Sequence, residues 1–68
     1  MKNIAENLRK YRQAKHLTQE QAAKHLHIDR TTYNKYEAGV VVPPLEAVVV
    51  LCELFDITPN DLLGWTHP

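Results

Sequence analysis

Arg30, Thr31, Asn34 and Lys35 are the residues of this 68-residue chain whose types and spacing most plainly suggest chemistry. At about 100° per residue they fall, with Ala38, within one arc of a helix, while Tyr33 and Tyr36 point the opposite way. The outward arc carries groups able to read base edges: guanidinium and ammonium donors for the acceptors of guanine, a carboxamide for adenine, and the Thr31 methyl for thymine. An ordinary amphipathic surface helix shows the same split, so the arc alone leaves both readings open. No catalytic constellation competes with it. There is no glycine-rich phosphate loop and no nucleophile beside an evident base, and no enzyme activity is expected. His25 and His27 raise a zinc site, but ligands on one helical face come at i and i+4 and no third ligand is near. No metal and no other cofactor is expected.

For that arc to exist, a helix must start near Arg30 and stop before Gly39. Asp29 is a suitable N-cap, Ile28 and Tyr33 occupy the staple positions around it, and Gly39 is a natural left-handed terminator. Upstream, Thr18-Gln19-Glu20-Gln21 has the spacing of a capping box, with Leu17 and Ala22 as its staple, and predicts a short helix to about Leu26. Only His25 to Ile28 separate these two helices, which forces them to meet at a steep angle: a helix-turn-helix over about 18–39. Asn3 and Glu6 have the capping spacing too, and Ile4, Leu8 and Tyr11 predict a first helix from about 4 to 15. Pro43 and Pro44 can open a fourth, with proline at its first position, running through Leu45, Val48, Leu51, Cys52 and Phe55. Thr58-Pro59-Asn60-Asp61 starts a fifth that includes Leu62 and Leu63 and stops at Gly64. The valine triplets 40–42 and 48–50 favour strand locally, but prolines interrupt the first and a helical period continues through the second. The expected fold is all-α, five short helices in one domain over residues 1–68.

A chain this short has one core to build and cannot divide it. Its single cysteine, Cys52, excludes an internal disulfide and reads as inert packing, which fits a reducing compartment. No apolar run approaches the ~18 residues of a membrane span, and the start MKNIAENLRK lacks a signal-peptide core, so a soluble, cytoplasmic protein with no membrane partner is expected. Net charge is zero, yet it conceals a split. Residues 1–36 hold all eight cations and three acids, a balance of +5; residues 37–68 hold five acids and no cation, a balance of −5. Such a chain can turn a basic face to a polyanion while its acidic end points away.

Leu17-Thr18-Gln19 to Ala23, the segment Ile28 to Gly39 closing in Tyr36-Glu37-Ala38-Gly39, then Pro43, Leu45, Leu51 and Ile57 to Leu63 together resemble the Cro and lambda-repressor (XRE) helix-turn-helix family. The likeness runs from Ile4 to Gly64, and its weak individual pieces are specific in their order and spacing. It implies a five-helix lambda-repressor-like domain with helix three in the major groove of double-stranded DNA and helix two crossing the backbone. It further implies a transcriptional regulator, most simply a repressor, acting as a homodimer on a palindromic operator. Carried over residue by residue, the resemblance places a base or backbone contact on Gln19, base readers on Arg30, Thr31, Asn34 and Lys35, and phosphate contacts on Thr18 and Thr32. Arg12 and Glu37 match a pair that ties helix one to the end of helix three.

The chain also departs from that pattern. His16, His27 and Asp56 stand where the family commonly has glycine, so left-handed turns are expected on residues that tolerate them at a cost. Ala22 replaces a larger residue and Tyr33 a smaller one; the Tyr33 ring is expected to fill the vacated volume, its hydroxyl reaching solvent or a phosphate. The loop after helix three holds Val40, Val41 and Val42 in place of phosphate-binding polar groups. With Val50 and Trp65 these valines suggest an apolar subunit interface through Val41, Val50 and Trp65. Scattered exposed valines are the plainer reading, and the alternative function is an antitoxin-like protein-binding module built on the same fold. No small-molecule effector is expected in so small a core.

Overall fold

Three of the five helices begin at side chains that reach back onto the chain's own amides. The computed structural model describes residues 4–64, which form α1 (Ile4–Ala14), α2 (Gln19–His25), α3 (Arg30–Glu37), α4 (Leu45–Phe55) and α5 (Pro59–Leu63), with no strand among the described residues. The fold is all-α, as expected. The expected cap at Asn3 lies outside the described residues. At α2 the Gln21 N–H donates to Thr18 Oγ1 at 3.0 Å and the Thr18 N–H to Gln21 Oε1 at 2.8 Å. At α5 the same reciprocal box joins Thr58 and Asp61, and at α3 the Thr32 N–H donates to Asp29 Oδ1 at 2.7 Å. Because α2 is only seven residues long, its cap is a large part of its local stability. Thr18→Ala is expected to cost about 1 kcal/mol, a fall of roughly 4–8 °C in the thermal midpoint of a domain this size. An unchanged melting curve would show that packing alone holds α2.

The ends of the first four helices share one solution. His16, His27, Gly39 and Asp56 all take positive φ, between 57° and 76°. In each case the next residue, Leu17, Ile28, Val40 or Ile57, donates its N–H to the carbonyl five residues back, at 3.0–3.1 Å. This is the closure that a left-handed residue permits, and an apolar residue follows it each time. Three of the four positions keep the turn without glycine.

The start of α4 differs from expectation. Pro44 is the N-cap, with extended ψ of 163°, and the helix begins at Leu45, so neither proline occupies its first position. A residue before proline is held extended, and the ring at a cap loses no hydrogen bond, so two prolines in succession delay the helix by one residue. Leu45, expected on the core stripe, is 77% exposed. The face that α4 buries is centred on Ala47, Leu51, Cys52 and Phe55, and Leu45 lies about a quarter turn from it.

The core gathers Leu8 from α1, Ala22 and Ala23 from α2, Tyr33 and Tyr36 from α3, the α4 face, and Leu62 from α5. Ala22 and Tyr33 are both fully buried, which fits the expected exchange of volumes. The two tyrosine rings pack edge to face with centroids 6.2 Å apart. Asn7 Nδ2 donates to the Leu62 carbonyl at 2.9 Å and holds α5 against α1. Burial pushes the Cys52 thiol pKa up, with Asp61 adding to the effect, as befits a packing residue. Among the described residues no helix is long and apolar enough to cross a membrane.

Candidate nucleic-acid interface

The outer arc of α3 carries Arg30, Thr31, Asn34 and Lys35, all exposed, while Tyr33, Tyr36 and Glu37 are buried. Among the described residues neither Arg30 nor Lys35 enters an ion pair, which leaves two cations uncommitted on this face. Thr18 and Thr32 stand at the amino ends of α2 and α3, Thr18 exposed and Thr32 half-buried. The Thr18 oxygen accepts the capping bond, and its hydroxyl proton remains available to an acceptor outside.

Beneath this surface lies a charged cluster. Arg12 donates through Nε to Glu37 Oε2 at 2.6 Å and through Nη2 to Oε1 at 3.1 Å, a two-pronged contact that ties α1 to the end of α3. The same guanidinium donates through Nη1 to the Leu17 carbonyl at 2.8 Å, in the turn before α2. One side-chain pair thereby holds three helices. The Glu37 side chain is fully buried and that of Arg12 is 12% exposed; Arg9, more than half exposed, approaches Glu37 Oε1 only to 3.8 Å. Gln19 Nε2 donates to Glu37 Oε1 at 3.1 Å, and Gln19 Oε1 in turn accepts from Asn34 Nδ2 at 3.2 Å. Gln19 is half-buried and Asn34 exposed, so the hydrogen-bonded chain starts in the core and ends on the outer arc.

The Tyr33 hydroxyl corrects one expectation. It is buried with no partner in hydrogen-bonding geometry, and it faces the Glu37 and Arg12 charges where solvent or a phosphate had been expected. Desolvation, with the nearby Glu37 charge, pushes its pKa well up, so it stays neutral. Burial also pushes the Glu37 carboxyl up, but hydrogen bonds from Arg12 and Gln19, with the Tyr33 hydroxyl close by, outweigh that and hold it below its ordinary 4.5. Asp29 is lowered likewise, by its bonds to Thr32. A carboxyl whose pKa is depressed on folding contributes stability above its unfolded value and loses it as pH falls through the folded one. The thermal midpoint is therefore expected to be flat from neutrality to about pH 5 and to drop below about pH 4.5. A midpoint unchanged at pH 3 would contradict the Arg12–Glu37 assignment.

The valine loop forms a separate apolar surface. Val40 and Val42 are 70% and 75% exposed and Val41 is 42% exposed, and Leu45 and Val49 of α4 are exposed as well. Val50 is half-buried, in a shallow groove with Leu26, Ile28, Tyr36 and Pro44. Trp65 lies outside the described residues. Sequence reasoning missed the exposure of Leu45 and Val49, and it missed the Gln19 link between Glu37 and Asn34. Only the Thr18 box, which places Gln19 at the first helical position, hinted at the second.

The sequence profile of the Helix-turn-helix family matches residues 8–62. Over 61 residues the chain is 39% identical to the uncharacterized HTH-type transcriptional regulator YobD of Bacillus subtilis, an alignment covering 90% of this chain and 54% of that protein. It is 38% identical over 59 residues to the HTH-type transcriptional activator BcrR of Enterococcus faecalis, covering 87% of this chain and 29% of the relative. Over 61 residues it is 36% identical to the cryptic phage CTXphi transcriptional repressor RstR of Vibrio cholerae, covering 90% and 54%. The chain thus spans about half the length, or less, of these relatives. No solved structure gives a significant match.

Proposed function

The chain belongs to the XRE-type helix-turn-helix family, and on that footing we propose that it binds duplex DNA sequence-specifically as a transcriptional regulator, with α3 in the major groove. The observation that carries this reading is the exposed arc of Arg30, Thr31, Asn34 and Lys35 beside Gln19, while Tyr33, Tyr36 and Glu37 of the same helix are buried. Arg30 is the leading reader, a two-pronged donor to guanine; Asn34 suits adenine and the Thr31 methyl suits thymine. Lys35, a flexible point charge at the edge of the arc, reaches a base or a phosphate. Thr18 and Thr32 take phosphate oxygens on either side.

Two copies with their third helices ~34 Å apart would meet successive grooves of an approximately palindromic operator. Val41 and Val50 are the assigned subunit contact, with Leu45 and Val49 enlarging it. Repression by occupying the operator needs no surface beyond these and is the mode we assign. A second reading, an antitoxin-like module that engages another protein, is favoured by the exposed valines alone. The two differ in salt dependence: DNA binding weakens steeply with salt, whereas an apolar protein contact does not. Selection of bound duplexes from a randomised pool at stated salt tests the first reading. It predicts an enriched site with two-fold-related halves, and recovery of none would sink it.

A further inference from the structure

Gln19 lies between the buried ion pair and the exposed arc of α3, bonded to both. The two ends of a carboxamide have nearly the same shape, and their partners decide which is oxygen and which nitrogen. Here the buried end decides. An ionised carboxylate only accepts, and both Glu37 oxygens are already engaged by Arg12. A reversed Gln19 would set its oxygen against Glu37 Oε1, two acceptors about 3 Å apart beside a fully buried side chain. Gln19 must therefore turn its NH2 inward and its oxygen outward, and Asn34 must answer with its own NH2. That leaves Asn34 one N–H and its Oδ1 facing away from Gln19. One donor beside one acceptor is the pattern that adenine complements through N7 and N6–H.

We propose that Glu37 is a positioning residue for base recognition: the negative charge it holds in the core sets hydrogen-bond direction through Gln19 to Asn34, and so fixes Asn34 as a reader of adenine. The inference rests on the reading of α3 as a major-groove helix. Without the relay, the Asn34 carboxamide turns over freely, and adenine loses its advantage over bases presenting the reverse pattern.

The test compares sites selected from a randomised duplex pool by the unaltered protein and by Asn34→Ala, Arg30→Ala, Glu37→Gln and Gln19→Met. Asn34→Ala identifies the base pair that Asn34 reads, by losing its adenine preference. Glu37→Gln and Gln19→Met, with Asn34 in place, are expected to lose about five-fold or more of the preference at that same pair. The pair assigned by Arg30→Ala is expected to stay selective in both. If Glu37→Gln does not fold by circular dichroism, Gln19→Met carries the test, since it leaves Arg12 and Glu37 paired. A second readout needs no DNA. In 15N spectra of the free protein, the two Nδ2 protons of Asn34 are expected to be well separated and to collapse toward free-amide positions in Gln19→Met. Adenine preference retained in both variants, or Asn34 amide protons unmoved by Gln19→Met, would overturn the relay. If the unaltered protein enriches no site, the DNA reading itself fails, and the amide protons alone then decide whether Glu37 orients Asn34.

Discussion

Glu37→Ala is expected to lower the thermal midpoint on the order of 20 °C, close to loss of the folded state at ambient temperature. Removing the carboxylate strands the Arg12 guanidinium, only 12% exposed, with the Leu17 carbonyl as its remaining partner. Breaking a buried pair in this way costs about 3–5 kcal/mol, and a domain of this size loses roughly 4–8 °C per kcal/mol. A chain of about 70 residues has total stability of only about 3–10 kcal/mol, so the loss is a large fraction of the whole. The pair need not add net stability for this to hold, because the cost is that of an uncompensated charge. Replacing both partners by apolar residues, Arg12→Met with Glu37→Leu, is therefore expected to recover much of the loss. Thermal unfolding of the single and double variants measures both effects. A Glu37→Ala midpoint within a few degrees of the original would mean that water reaches Arg12 freely.

Arg30→Ala is expected to act in the opposite way, on recognition and not on stability. Arg30 is exposed and, among the described residues, enters no ion pair, so its truncation leaves the melting curve in place. Losing a two-pronged guanine contact removes about 1–3 kcal/mol of discrimination, roughly 5–150-fold, at a single base pair. Lys35→Ala provides the contrast: if its ammonium holds a phosphate, it weakens all sequences alike and reduces the salt slope by about one. Titrations of the selected and a scrambled duplex at two salt concentrations separate the two patterns. An Arg30→Ala protein that keeps its full preference for the selected site would remove Arg30 from the reading face.

What was legible in the sequence was what is local. The caps at Thr18, Asp29 and Thr58 are written within four residues, and the staple and stop residues beside them are equally close. The left-handed turns at His16, His27 and Asp56 were visible only as departures from a family habit of glycine, yet all three keep positive φ. Arg12 and Glu37 are 25 positions apart, and no spacing rule joins them; the family resemblance did. Gln19 was legible as an exposed contact and not as a bridge, because its partners come from α3, 15 and 18 positions away. The Tyr33 hydroxyl was misjudged for the same reason: a ring large enough to fill the space beside Ala22 carries its oxygen to the core charges, and nothing near Tyr33 in sequence reveals that charge but Glu37 one turn on. At α4 the helical period and its buried face were read correctly at Val48, Leu51, Cys52 and Phe55, and only Leu45 was misplaced. Two prolines moved the start to Leu45, and a residue in a first turn can sit outside the stripe that the rest of the helix buries.

On the proposed reading, α3 and the start of α2 meet duplex DNA. Amide chemical-shift mapping of the 15N-labelled protein with a selected duplex tests it most directly. The largest changes are predicted at Thr18, Gln19 and Arg30 through Lys35, with the Val40 to Val50 surface moving only as far as pairing of two copies on the site requires. Changes confined to the valine loop and the exposed side of α4, with α3 unmoved at saturating duplex, would contradict it.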